Sequence, residues 1–199
     1  TKLAENIGIN ISYMHKVLLD FDANGFPQNF ADSFDLGSMS NEYFKYISAV
    51  LDELYKYDLR NLRKSVIHGD ICRENLIIKD NQLKAILDFD DAHTNYLIWD
   101  VATAISQLFI TKTSKIDWAG IRNFFKGYNL WMTLNFTEAK VIITLLKLVN
   151  LRLAILADSH LITKESSEWK SIKSSVLTKL KLIEKNGKKL SELILEVSR

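Results

Sequence analysis

Two short stretches near the middle of this 199-residue chain carry side chains suited to phosphoryl transfer. The first is residues 68–75 (HGDICREN), and the second is residues 87–90 (LDFD). Transfer of a phosphoryl group from ATP needs a carboxylate to take the hydroxyl proton, and it needs oxygen ligands for the magnesium ions on the phosphates. Asp70 could supply the base. Asn75 and Asp88 could supply an amide oxygen and a carboxylate to Mg²⁺, which prefers hard oxygen ligands.

Apolar runs on either side of these stretches indicate how the chain brings them together. Residues 66–68 predict a short strand, and residues 75–79 and 83–87 predict two more, joined by a turn at Asp80-Asn81. The last two strands form a small β-hairpin. Asp70 would lie in the loop before the hairpin and Asp88 just after it. The hairpin would thus carry both the catalytic loop and the metal loop.

The rest of the chain has the periodicity of α-helices. Helices are predicted over residues 3–19, from Ser40 to about 54, and over 98–110, 118–132, 137–158 and 164–185, with a last amphipathic piece after Gly187. Ser40 and Thr137 are the predicted N-caps. The almost wholly apolar run between residues 141 and 149 predicts that the helix after Thr137 is the buried axis of the domain. The predicted fold class is therefore α+β and mostly α-helical.

The composition is that of a globular protein, with 47% hydrophobic and 25% charged residues and a net charge of +2. This small, dispersed charge predicts no nucleic-acid partner. We also expect no membrane partner, because no apolar run reaches the length of a membrane span. Cys72 is the single cysteine, so no intrachain disulfide can form, and a cytoplasmic location is expected.

Residues 66–102 (VIHGDICRENLIIKDNQLKAILDFDDAHTNYLIWDVA) resemble the core of the aminoglycoside phosphotransferase, choline kinase and homoserine kinase superfamily, which has a protein-kinase-like fold. The homoserine kinase branch is slightly favoured. The resemblance implies that Asp70 is the catalytic base and that Asn75 and Asp88 bind Mg²⁺. It also implies that Asp100, in the WDVA segment, supports the catalytic loop and that ATP is the phosphate donor.

Two further segments carry a weaker resemblance: residues 11–19 (ISYMHKVLL) and residues 124–156 (FFKGYNLWMTLNFTEAKVIITLLKLVNLRLAIL). Residues 1–199 would then correspond to the C-terminal, substrate-binding lobe of such a kinase. The N-terminal nucleotide lobe, with its phosphate loop and strand lysine, has no counterpart in this chain. We therefore expect a fragment of a longer enzyme that is incomplete and inactive alone.

The expected activity is ATP-dependent phosphorylation of a hydroxyl on a small molecule: an amino acid, an amine, an aminoglycoside or a sugar. Acceptor specificity would come from the helices after Ile98 and from the loop over residues 22–38. The alternative is a non-catalytic, pseudokinase-like binding or scaffold module that keeps the lobe without the chemistry.

Three polar neighbours of the motifs have expected roles of their own. His68 should be structural, bonding backbone carbonyls and the Asp100 carboxylate. Asp90 and Asp91 could add a metal contact or cap the following segment, and Asp90 is the better candidate for the metal. Together with Asp70 and Asp88 they would place four carboxylates in one region, an arrangement that favours a bound cation.

Overall fold

Helices dominate the computed structural model, which describes residues 1–26, 41–111, 113, 115–163 and 167–198. The helices in these ranges are α1 (Lys2–Leu19), α2 (Asn41–Leu54), α3 (Leu97–Ala104), α4 (Trp118–Tyr128), α5 (Phe136–Thr163) and α6 (Ser167–Val197). The strands are β1 (Lys64–Ile67), β2 (Leu76–Lys79), β3 (Gln82–Ile86) and β4 (His93–Tyr96). A 3₁₀ turn at Leu59–Asn61 precedes β1, and a π-helical turn at Ile105–Phe109 follows α3. The α+β, mostly helical class is confirmed.

Helix α5 is the buried axis that its sequence predicts. The apolar side chains of its first half are at most 4% exposed: Val141, Ile142, Leu145, Leu146, Leu148 and Val149. The predicted cap at Thr137 is wrong, because the helix begins one residue earlier, after Asn135. There Oδ1 of Asn135 accepts from N of Glu138 (2.9 Å), while Oε2 of Glu138 accepts from N of Asn135 (2.9 Å). This reciprocal capping box satisfies two backbone donors at once.

Helices α1 and α4 approach each other almost backbone to backbone. A Cβ added at Gly127 would lie only 1.9 Å from the carbonyl oxygen of Glu5, so no larger side chain fits without moving a helix. Phe124 and Tyr128 on α4 and Ile11 on α1 are fully buried in the same core. This close contact brings His15 of α1 within reach of the α4 residue Tyr128.

The strands form two separate antiparallel pairs, β2 with β3 and β1 with β4. The first is the predicted hairpin. Its turn residues Asp80 and Asn81 have φ values of 52° and 57°, the left-handed conformation that a type I′ turn requires at both central positions. The second pair was not predicted, and in it Ile67 lies opposite His93. The catalytic loop therefore runs from β1 to β2 and the metal loop from β3 to β4.

Several predicted helix ends differ from the structure. The helix predicted over 98–110 ends at Ala104 in the π-helical turn. The predicted break at Gly187 is wrong, because the apolar stripe continues across it through Ile183, Leu190 and Ile194, all fully buried. The predicted cap at Ser40, the predicted helix start at Lys164 and residues 27–38 of the acceptor loop lie outside the described residues.

No helix in the described chain is long and apolar enough to cross a bilayer.

Candidate active site

Asp70 lies in the loop between β1 and β2, where its half-buried carboxylate meets two side-chain donors. Nδ2 of Asn75 donates to Oδ2 of Asp70 (3.1 Å) and also to the Asp70 backbone oxygen (3.0 Å). The Cys72 thiol lies 3.6 Å from the same Oδ2. Two of the three residues that the sequence singles out, Asp70 and Asn75, are therefore in direct contact.

Asp88 is brought next to this pair by the hairpin. The backbone N of Leu87 donates to the backbone oxygen of Asn75 (2.9 Å), which extends the β2–β3 ladder by one step. Asp88 follows with an exposed side chain and a φ of 63°. Aspartate adopts this left-handed region more readily than most non-glycine residues do, and the turn residues Asp80 and Asn81 share it.

These residues fit a hard divalent cation. The Asn75 amide uses its nitrogen for both bonds to Asp70, which leaves its oxygen as the group offered to another partner. Asp88 has an exposed carboxylate and directly follows Leu87, whose backbone N bonds the Asn75 backbone oxygen. Mg²⁺ binds through one or two such ligands together with substrate phosphates and water. In the described parts of the chain, no three His, Cys, Asp or Glu side chains are grouped as metal ligands, so the four predicted carboxylates do not form one cluster.

Asp91 and Asp90 are both exposed in the turn before β4. Oδ2 of Asp91 lies 3.5 Å from Nη2 of Arg152, a residue of α5. This ion pair directs Asp91 toward α5. Asp90 as a metal contact remains a prediction.

Asp100 lies beneath the catalytic loop and is completely buried on α3. Its Oδ2 accepts from N of His68 (2.8 Å), and its Oδ1 accepts from N of Gly69 (2.9 Å). Burial on its own would raise the pKa of Asp100, but the hydrogen bonds from His15 and from the two loop amides hold this pKa below its ordinary value. The carboxylate is therefore a fixed acceptor for the two residues before Asp70.

His15 is a member of this network that the sequence analysis did not find. Its Nε2 lies 3.2 Å from Oδ2 of Asp100, and its Nδ1 lies 2.8 Å from the Tyr128 hydroxyl. Burial raises the pKa of Tyr128, so the hydroxyl stays protonated and donates to Nδ1, and Nε2 donates to Asp100. A signal was present in the sequence, since His15 continues the buried row of Ile7 and Ile11 at intervals of four residues.

His68 is structural in a slightly different way from the prediction. Its imidazole Nε2 donates to the Leu87 backbone oxygen (2.9 Å), and its Nδ1 accepts from N of Asp70 (3.2 Å). The expected bond to a backbone carbonyl is present. The contact with Asp100 is made by the backbone N of His68 and not by its ring. One buried ring thus joins the catalytic loop to the metal loop.

The surroundings of Asp70 perturb the titration of both Asp70 and Cys72. Burial raises the pKa of Asp70 and the charge of Asp91 adds to this, while the Cys72 thiol, Arg152 and His68 partly oppose it. Burial and the negative charge of Asp70 raise the pKa of Cys72 to about 12. Cys72 is therefore a thiol that donates toward Asp70, and it is not a nucleophile at neutral pH.

Residues 11–131 match the phosphotransferase enzyme family. The matched range contains Asp70, Asn75, Asp88 and Asp100. The match spans more than half of the chain. The chain belongs to this family. The homoserine kinase of Methylobacillus flagellatus is 25% identical over 91 residues, covering 46% of this chain and 28% of that protein. The homoserine kinase of Zymomonas mobilis subsp. mobilis is 30% identical over 102 residues, covering 51% of this chain and 32% of that protein. The matched region thus spans less than a third of these relatives.

Solved structures show the same fold over nearly the whole of this chain. An amicoumacin kinase in complex with AMP-PNP and Ca²⁺ superposes with a TM-score of 0.68 at 14% identity, covering 92% of this chain and 59% of that one. A microcompartment-associated aminopropanol kinase superposes with a TM-score of 0.67 at 18% identity, covering 94% of this chain and 63% of that one. The kinase-like fold predicted from residues 66–102 is confirmed.

Proposed function

We propose that the full-length protein transfers the γ-phosphoryl group of ATP to a hydroxyl of a small molecule. The observation that carries this proposal is the contact between Asp70 and Asn75, in which the amide nitrogen donates to Asp70 and the amide oxygen is the group left for another partner. That pairing gives one loop both a proton acceptor and a cation ligand. Family membership and the homoserine kinase relatives support the same reaction class.

In the proposed reaction the acceptor hydroxyl oxygen forms a bond with the γ-phosphorus. The bond between that phosphorus and the oxygen bridging to the β-phosphate breaks, and ADP leaves. The hydroxyl proton passes to the carboxylate of Asp70, and a phosphate monoester is released. Asp100, through its bonds to the backbone of His68 and Gly69, keeps Asp70 in the position from which it meets the hydroxyl.

Asn75 and Asp88 would hold Mg²⁺, which in phosphoryl transfer neutralises negative charge on the phosphates. Residues 1–199 would provide the catalytic and acceptor-binding lobe, and the lobe that binds the adenine would come from residues outside this chain. The extent of the structural matches supports this division, because they cover 92–94% of this chain but only 59–63% of the two kinases.

The test is an acceptor screen with the full-length protein, ATP and Mg²⁺. ADP release and the mass of the product would be measured for L-homoserine, an amino alcohol, choline, an aminoglycoside and methylthioribose. We expect one class to be phosphorylated, and we expect Asp70→Asn to lower the rate by about 10²–10⁴-fold, the usual contribution of a general base. Asp80→Asn, at the exposed hairpin turn, is the control. Undiminished turnover by Asp70→Asn would refute the role of Asp70, and no turnover of any acceptor would favour a scaffold.

A further inference from the structure

A cavity of about 420 Å³ opens beside Asp70, between the catalytic loop and α6. This volume lies in the range of small-molecule sites. Apolar side chains of α5 and α6, including Leu153 and Val176, form part of its wall, and the catalytic loop adds the carboxylates of Asp70 and Glu74 to the lining. A molecule that fills the cavity would therefore meet the proposed base, a second carboxylate and an apolar surface.

Glu74 gives the cavity a negative charge that is available to a ligand. Its side chain is exposed, and no described residue forms a hydrogen bond or an ion pair with its carboxylate. The Cys72 thiol, which also lines the cavity, responds to this charge. Burial raises the pKa of Cys72 to about 12, and the charges of Asp70 and Glu74 both add to this increase. The side of the cavity that the loop forms is therefore electronegative and attracts cations.

Lys179 is the only cationic residue in the described lining, and its ammonium group is already engaged by the protein. The side chain is 4% exposed. Its Nζ donates to the backbone oxygen of Ser106 (2.8 Å) and lies 3.2 Å from Oε1 of Gln107, and Lys179 has a further partner as well. The lysine is therefore a buried part of the cavity wall, whereas Glu74 is exposed to an entering ligand.

Two serines of α6 complete the polar part of the lining. Ser171 and Ser175 are one helical turn apart, so they lie on the same face of the helix. Their hydroxyl oxygens and the Glu74 carboxylate can all accept hydrogen bonds from an ammonium group, which has three donors. None of the described residues that line the cavity is aromatic, so it lacks the ring cage that binds quaternary ammonium groups. This chemistry fits a primary amine better than a quaternary one.

We propose that this cavity is the acceptor site and that Glu74 binds a primary ammonium group of the acceptor, so that the substrate is a short alcohol that carries an amine. This inference rests on the proposed function and narrows it. The hydroxyl would face Asp70, the ammonium group would face Glu74, and the methylene groups between them would lie on the apolar wall. A hydroxy acid without an amine would bring like charge against both carboxylates and is selected against.

Matched pairs of alcohols test the proposal with the full-length enzyme, ATP and Mg²⁺. 3-Aminopropan-1-ol and butan-1-ol differ by an ammonium group against a methyl group, and L-homoserine differs from 4-hydroxybutyrate only by its amine. In each pair that is turned over, we expect kcat/KM to favour the aminated member by about tenfold, the scale of a hydrogen bond to a charged group. Glu74→Gln keeps the shape of the side chain and removes its charge. This variant should raise KM for the aminated member and bring the ratio of the two kcat/KM values close to one.

Glu192→Gln is the matched control, because Glu192 is an exposed glutamate of α6 outside the cavity. It should preserve the preference for the amine. A preference that survives in Glu74→Gln overturns the proposal. An equal loss of kcat/KM for both members of a pair also overturns it, because Glu74 would then act on the loop and not on the ammonium group.

A measurement on the unaltered enzyme covers the case in which Glu74→Gln does not fold. Propan-1-amine should compete with the acceptor, and the uncharged propionamide should inhibit at least tenfold more weakly. Equal inhibition by the two compounds overturns the proposal. Phosphorylation of choline or methylthioribose in place of primary amines also overturns it and leaves the proposed function intact. No phosphorylation of any alcohol removes both.

Discussion

The Asn75 side chain closes the catalytic loop onto its own base, with Nδ2 3.1 Å from Oδ2 of Asp70 and 3.0 Å from the Asp70 backbone oxygen. These bonds fix the position of a proposed metal ligand relative to the proposed proton acceptor. They also explain why the position favours an amide over a carboxylate. A second carboxylate would repel Asp70, whereas the amide donates to it and still offers an oxygen to a cation.

Replacing Asn75 by leucine should therefore impair both functions at once. Asn75→Leu keeps the approximate volume but removes the donor to Asp70 and the oxygen for Mg²⁺. We expect kcat of the full-length enzyme to fall by about 100-fold or more and the Mg²⁺ concentration for half-maximal rate to rise. Asn123→Leu, at a half-buried position of α4 outside the catalytic and metal loops, is the control and should behave like the unaltered enzyme. A normal Mg²⁺ dependence in Asn75→Leu would argue against its role as a ligand.

Asp88 and Asp80 form a matched pair for testing the second metal ligand. Both are exposed aspartates with left-handed backbones, at φ values of 63° and 52°. Asparagine tolerates this conformation as well as aspartate does, so the substitution tests the charge alone. Asp88→Asn should raise the Mg²⁺ requirement by about tenfold or more, and Asp80→Asn should leave it unchanged. Equal behaviour of the two variants in a Mg²⁺ titration of the rate would contradict the assignment.

The sequence predicted those parts of the site whose residues are close together along the chain. Asp70 and Asn75 share one loop, and the hairpin that brings Asp88 to them has a recognisable turn at Asp80-Asn81. The support beneath the loop is different, because His15 contacts Asp100 from 85 residues away. That contact depends on how α1 packs against α4, and no local pattern encodes it.

The errors in the secondary structure have similar causes. Strand β4 has the polar sequence His-Thr-Asn-Tyr, which lacks the apolar alternation that marks a strand, and it exists because β1 pairs with it. Gly187 usually indicates a helix end, but in α6 the packing of Ile183 and Leu190 on both sides outweighs the cost of one interior glycine, about 1 kcal/mol. In each case a tertiary contact overrides the local preference.

Removing the buried imidazole should loosen the catalytic loop and destabilise the fold. His15→Phe keeps an aromatic ring but leaves the Tyr128 hydroxyl and the Asp100 carboxylate without this partner. We expect the free energy of unfolding to fall by about 2–4 kcal/mol, measured by urea denaturation, together with a lower kcat. Tyr13→Phe, an exposed position on the same helix, should change neither. Unaltered stability in His15→Phe would show that the network contributes little.

The lowered pKa of Asp100 predicts a specific dependence of stability on acid pH. The folded-state pKa lies below the unfolded value of about 3.9, so the unfolded state binds the proton more readily and stability rises with pH in this range. The contribution is fully present above about pH 5 and is lost as the pH falls through the folded pKa. The difference in unfolding free energy between the unaltered protein and Asp100→Asn should shrink below about pH 4. A difference that stays constant from pH 7 to pH 3 would contradict this.

Gly69 and Gly25 allow two costs of adding a side chain in the catalytic loop to be measured separately: the left-handed backbone and the steric contact. Both have left-handed backbones, with φ values of 85° and 91°. A Cβ at Gly69 would lie 2.4 Å from the backbone oxygen of Asp91, whereas a Cβ at Gly25 would have no atom within 4 Å. Gly25→Ala should therefore cost only the conformational term of about 1–2 kcal/mol. Gly69→Ala should cost about 1–3 kcal/mol more, because the loop must move away from Asp91, and the same movement should displace Asp70 and lower kcat. Urea denaturation and initial rates of both variants would measure this difference, and equal losses of stability would show that the contact with Asp91 does not constrain the loop.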